Sequence, residues 1–221
     1  ETSGFRMRLT RFLKLDRFIK NQTIREWVEA LVFALVVAGI FRTWAYSPYN
    51  VPTGSMIHTI EIGDYLFADM HAYGFVVPFT DIKLFPSKIE RGDIIIFPNP
   101  LDPSISYIKR AVAIEGDEIE LVGEEIYING QSEHNPNRFL DDRMPPVTHN
   151  REFTVSKKFT VPTGKVWPLG DNRRNSLDGR YWGFIDVKDV RAKGLIISWS
   201  HDPKASFLSG YRFERIGRML E

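Results

Sequence analysis

Tyr107-Ile108-Lys109-Arg110-Ala111-Val112-Ala113-Ile114-Glu115-Gly116-Asp117-Glu118-Ile119-Glu120-Leu121-Val122-Gly123-Glu124-Glu125-Ile126-Tyr127-Ile128 decides the fold class. β-branched and aromatic residues recur here in short runs separated by glycine, a strand pattern rather than a helical one. Tyr107–Ile114 reads as one strand. Glu118–Val122 and Glu125–Ile128 read as a hairpin, with Gly123-Glu124 able to form the tight turn. Similar runs occupy Asp93–Phe97, Glu152–Val155, Lys158–Val161, Lys165–Leu169 and Leu195–Trp199. A parallel α/β sheet needs crossover helices of ten or more residues, and none is visible after Pro48. The expected body is therefore mainly β, with antiparallel sheets, over residues 47–221. Residues 131–150 are polar and rich in Asn, Asp and Pro, and read as a long loop or insertion. In the tail, Phe213, Ile216, Met219 and Leu220 fall at helical spacing and predict a packing face.

The 221 residues suffice for one or two domains with a sizeable core. A net charge of +1 supplies no field that would argue for nucleic acid. The chain has no cysteine, which excludes disulfides, thiolate catalysis and cysteine-held metals. Five histidines show no metal-binding spacing, so no metal and no cofactor is expected. No phosphate-binding glycine loop and no GxSxG elbow is present. The chain starts at Glu1 without methionine, and whether a native N-terminus extends further is left open.

Ala30–Phe41 is an unbroken apolar run, short for a membrane span when taken alone and equally suited to a buried core helix. Trp27-Val28 and Trp44-Ala45-Tyr46 lengthen it to residues 27–46, with aromatic residues at both edges and only Glu29 and Arg42 inside. A signal peptide would end in small residues, whereas Tyr46-Ser47-Pro48-Tyr49 is bulky. The expectation is one transmembrane anchor at 27–46, preceded by a basic segment at 1–26. Arg6, Arg8, Arg11, Lys14, Arg17, Lys20 and Arg25 outnumber the acids there, which places the N-terminus on the cytoplasmic side and the body outside.

Three polar features stand out in the body. Val51-Pro52-Thr53-Gly54-Ser55-Met56 follows the anchor and presents a serine just beyond a rigid bend, as a nucleophile requires, although such a turn is most often only a turn. Lys109 interrupts an apolar strand on the face of Tyr107, Ala111 and Ala113. Desolvated there, it would lose its proton and could act as a base; at a strand edge it would remain an ordinary cation. Gly170–Arg180 is dense in polar groups: Asp178 and Arg180 could pair while asparagine and serine side chains stitch the loop together, or the stretch is simply a salt-bridged surface loop.

In this order after one span, VPTGSM (51–56), RGDIIIF (91–97), YIKRAVAIEGD (107–117) and GDNRRNSLDGRYWGFI (170–185) resemble the motifs of bacterial type I signal peptidases. The resemblance covers roughly residues 28 to 200. It implies a signal-peptidase-like catalytic domain with Ser55 as nucleophile and Lys109 as general base. The Ser55 amide and the Thr53 hydroxyl would hold the oxyanion, Ser176 would position Lys109, and Asp178 and Arg180 would brace the loop. Tyr49, Val51, Met56, Ile60, Tyr107 and Ile108 match positions lining shallow pockets for small side chains. The implied protein is a monomeric, single-pass enzyme of the bacterial cytoplasmic (inner) membrane, acting at the lipid bilayer on signal peptides that end in Ala-X-Ala. Three residues depart from the pattern: Thr53 and Gly179 replace serines, and Arg174 replaces a frequent aspartate.

Three rivals accompany this reading. One is a clan relative with a narrow substrate, such as a pilus, conjugation or organelle inner-membrane peptidase. Another is a non-catalytic anchored β-domain, which intact Ser55 and Lys109 disfavour. The last is a self-cleaving cytoplasmic repressor, which the anchor and the lack of a helix-turn-helix pattern disfavour. Tyr73–Phe79 with Leu84-Phe85 is apolar enough either to touch a bilayer or to join the core.

Overall fold

A computed structural model describes residues 21–44, 46–76, 83–145, 158–206 and 208–220. The chain divides into two compact units, Glu1–Ala45 and Tyr46–Glu221. In the first, helix α1 spans Gln22–Trp44. Asn21 caps it, its side-chain oxygen accepting from the Thr23 amide at 3.0 Å. Among the described residues no helix is long and apolar enough to cross a membrane.

The second unit is built from antiparallel strands. The larger sheet has seven, in the order β1 (Tyr46–Asn50), β2 (Asp64–Asp69), β13 (Ala192–Ser200), β5 (Ile94–Asn99), β6 (Asp102–Ile114), β11 (Lys165–Leu169) and β12 (Ile185–Asp186). A four-stranded accessory sheet runs β10 (Lys158–Thr160), β7 (Glu118–Val122), β8 (Glu125–Ile128) and β9 (Gln131–Ser132). Phe75–Val76 (β3) and Lys83–Leu84 (β4) form a separate short hairpin. The hairpin expected around Gly123-Glu124 is present, with Val122 opposite Glu125. Glu152–Val155 lies outside the described residues.

Alternation on β2 sends Leu66 and Ala68 inward and leaves Tyr65 and Phe67 exposed. Leu66 meets Val51, Met56, Ile60, Ile94, Ile197 and Leu220 in one cluster beneath the loop that carries Ser55, while Ala68 packs with Ile96 and Ala192. Each such side chain contributes about 1.5–3 kcal/mol on burial. A second cluster, with Trp167 and Leu169 against Ile119, Leu121 and Ile126, joins the two sheets.

The tail corrects its expectation. It contains a 3₁₀ turn, Phe213–Arg215, then a turn at Ile216-Gly217, and pairs with β13, with Ile197 N donating to Arg218 O at 3.0 Å and Leu220 N to Leu195 O at 2.9 Å. Of the four apolar residues in that spacing only Leu220 is buried, while Phe213 and Met219 are exposed. Gly210 and Gly217, both at positive φ, break the helical register. Asp64 fastens the tail instead, accepting from Arg215 Nη2 at 2.6 Å. Burial opposes ionisation of that carboxyl, yet Arg215 and Ser200 more than offset it and hold it below the usual carboxylate range.

Candidate active site

Ser55 sits in the turns that link β1 to β2. Val51 anchors their start, its amide bonded to Asp64 O at 3.0 Å, and Ile60 N to Met56 O at 2.8 Å closes a single helical turn after the serine. Met56 and Ile60 point into the core, so the segment is held from below while Ser55 faces the neighbouring strand. Opposite it, Lys109 comes from β6, in register with Ile95 on β5.

Lys109 Nζ lies 2.8 Å from Ser55 Oγ and 3.0 Å from Ile108 O. Both side chains are buried, Lys109 at 3% and Ser55 at 8% exposure, so water cannot solvate an ammonium there. Desolvation pushes the lysine pKa down, and the carboxylates of Asp178 and Asp171 only partly restore it, leaving it at about 8. In the neutral form Nζ donates to Ile108 O and offers its lone pair to the Ser55 hydroxyl proton. That arrangement fits a general base paired with a nucleophile.

The Gly170–Arg180 loop grips the main chain of the serine. Asn172 N donates to Ser55 O at 3.0 Å, and Asn172 Nδ2 donates to Gly54 O at 3.0 Å. Gly170 passes so close that a Cβ there would stand 2.5 Å from Ser55 O. Asp171, fully buried, accepts from Arg110 Nε at 2.9 Å, Thr59 Oγ1 at 2.5 Å and Asn135 Nδ2 at 2.9 Å. Asp178 accepts from Gly170 N at 3.0 Å and from both Nε and Nη2 of Arg180 at 2.9 and 2.8 Å. Burial raises its pKa, but Arg180 and the Gly170 amide outweigh burial and keep it ionised.

The remaining expected residues are placed as follows. Thr53 is exposed at the rim, and the Ser55 amide donates to no group among the described residues. Ser176 lies within electrostatic reach of Asp178, but its buried hydroxyl completes no hydrogen bond of normal geometry, and none joins it to Lys109. Val51, Met56 and Ile60 are buried beneath the serine; Tyr49, Tyr107 and Ile108 are half-buried. Tyr107 places its ring 4.8 Å from Lys109 Nζ. A cavity of about 660 Å³ opens elsewhere, between Arg110, Asn135 and Arg218, and neither Ser55 nor Lys109 lines it. Asn172, Asp171 and Arg110 were not singled out by sequence. Arg110 follows Lys109 directly, but its partner is 61 residues away.

In this mainly β domain a serine hydroxyl stands against a buried, easily neutralised lysine, an arrangement suited to a serine hydrolase. The family model of signal peptidase, peptidase S26, matches residues 24–199, and the chain belongs to that family. Signal peptidase I of Pseudomonas aeruginosa is 28% identical, over 92% of this chain and 82% of the relative. That of Rickettsia massiliae is 32% identical over 81% of each chain. The crystal structure of a signal peptidase I from Enterococcus faecalis V583 shares 32% identity, covering 48% of this chain and 97% of that one, with a TM-score of 0.38. As a member of this family, the chain is an enzyme of signal-peptide processing.

Proposed function

We propose that this chain cleaves signal peptides from exported preproteins with Ser55 as nucleophile and Lys109 as general base, and the 2.8 Å contact between them carries the reading. Lys109 Nζ takes the Ser55 proton as Oγ bonds to the scissile carbonyl carbon. The Ser55 amide and the Thr53 hydroxyl hold the resulting oxyanion. Lys109 then protonates the leaving amine, the carbon–nitrogen bond breaks, and the mature protein departs. Water, deprotonated by the same amine, attacks the acyl-serine and frees the signal peptide with Ser55 restored.

Tyr49, Tyr107 and Ile108 form the open wall of a shallow pocket for small side chains, with Val51, Met56 and Ile60 filling the space behind it. Asp178 and Arg180 hold the loop, and Ser176 packs on Gly170 beside them. In this proposal α1 belongs to a single membrane anchor at 27–46, with the basic segment 1–26 on the cytoplasmic side and the monomeric catalytic domain outside. The apolar run at 27–46 and the basic excess ahead of it support that placement. Exposed Leu84 and Phe85 suit contact with a bilayer.

The test is cleavage, in detergent, of a preprotein whose signal ends in Ala-X-Ala. Wild type should cut after the small residue, while Ser55→Ala and Lys109→Ala should be inactive with unchanged folding. Activity surviving in either variant would refute the assignment.

A further inference from the structure

Arg174 ties the Gly170–Arg180 loop to another part of the fold. Its Nε and Nη2 donate to the two oxygens of Glu124 at 2.8 and 2.7 Å, and its Nη1 donates to Asp142 at 3.0 Å. Glu124 lies in the β7–β8 turn of the accessory sheet, and Asp142 in the polar segment that follows β9. The adjoining residues are held from the same side. Arg173 pairs with Glu133, Arg173 N donates to Phe139 O at 2.9 Å, and Phe139 N donates to Asp171 O at 2.8 Å.

The loop also holds the serine segment, through Asn172 N on Ser55 O and Asn172 Nδ2 on Gly54 O. A force applied at Arg174 is thus passed through two residues of chain to the backbone that aims Ser55 Oγ at Lys109. At its start the same loop packs closely on the serine segment, since a single added carbon at Gly170 would overlap both Ser176 Oγ and Ser55 O. Exposed ion pairs seldom add much stability. A bidentate fork, however, fixes direction as well as distance.

We propose that Arg174 is a positioning residue: by clasping Glu124 and Asp142 it locks the accessory sheet to the loop that sets the Ser55 main chain. This rests on Ser55 being the nucleophile. Breaking the clasp therefore lowers turnover and leaves substrate binding unaltered, because the pocket wall of Tyr49, Tyr107 and Ile108 stands on β1 and β6. Small misplacements of a reacting group cost large factors in rate.

The experiment uses the full chain in detergent, with Arg174→Glu, Glu124→Arg and the double exchange. Arg174→Glu should reduce kcat about ten-fold with KM within two-fold of wild type. In peptides covering 52–60, amide hydrogen exchange should accelerate several-fold while the melting temperature moves little. The double exchange should return both kcat and protection to within about three-fold of wild type, as expected of directly coupled partners. Unchanged kcat in Arg174→Glu, unchanged exchange at 52–60, or a double variant as impaired as the single would each overturn the proposal. Arg174→Gln serves the same comparison if the charge reversal fails to fold. Hydrogen exchange decides the mechanical link even if wild type were to cut no preprotein, an outcome that counts against the protease reading alone.

Discussion

Lys109 Nζ and Ser55 Oγ stand 2.8 Å apart in a space that admits almost no water. In the proposed mechanism Lys109 takes the proton only when its amine is neutral, and burial brings its pKa down to about 8. Cleavage measured as kcat/KM should therefore rise about ten-fold per pH unit from pH 6 and level off above about 8. A profile flat from pH 6 to 9 would show that some other group takes the proton.

The same burial makes the lysine a liability to the fold. Free lysine keeps its proton up to about pH 10.4, so between about 8 and 10.4 the unfolded chain binds one proton more than the folded one. Stability accordingly climbs with pH across that window, and below it the folded state carries the full cost of a desolvated ammonium. Lys109→Met should abolish cleavage while raising the melting temperature at pH 6, by an amount equivalent to at most about 3 kcal/mol. A lower melting temperature than wild type at pH 6 would show that the ammonium is stabilised in place.

Asp178 and Arg180 present the opposite case, a buried pair in which each charge needs the other. The Asp178 carboxyl is pushed up by burial and pulled further down by Arg180, ending below its ordinary value. Its stabilising contribution is present above the unfolded carboxylate pKa of about 3.9 and disappears as pH falls through the lower folded value. Asp178→Asn leaves Arg180 buried without its counter-ion and should cost about 3–5 kcal/mol in thermal unfolding at pH 7. A loss below about 1 kcal/mol would mean the Arg180 contact to Arg173 O suffices on its own.

Gly179 has been filled around. A Cβ there would meet Pro168 O and the Trp167 ring at 2.8 Å. Gly179→Ser should then destabilise by about 1–3 kcal/mol through overpacking. Trimming the indole with Trp167→Phe should make the serine better tolerated than it is in the wild-type background, read as a positive coupling in a double-mutant cycle of melting temperatures.

The strands that sequence exposed most clearly, β6, β11 and the β7–β8 pair, bury alternate side chains or whole runs, so period and hydrophobicity agree. β1 was hidden by Pro48, which a strand tolerates at a sheet edge, and β1 is such an edge. β2 was hidden by Tyr65 and Phe67, large apolar side chains on its solvent face. Of the candidate site, Ser55 and Lys109 were named through a resemblance in ordered motifs, and their side chains meet in the fold. The hold of Asn172 on Ser55 left no such trace: it is made by main chain, and its two ends are more than a hundred residues apart.

In the larger sheet, β13 lies between β2 and β5 although the chain reaches it some 120 residues after β2 ends and some 90 after β5 ends. Until Ala192–Ser200 has been synthesised, strands β2 and β5 have no partner between them, and the bed of Ser55 lacks Ile197. Non-local pairing of this kind delays assembly. The topology ties the candidate nucleophile to a late segment of chain: the bed beneath Ser55 closes only once β13 has been made.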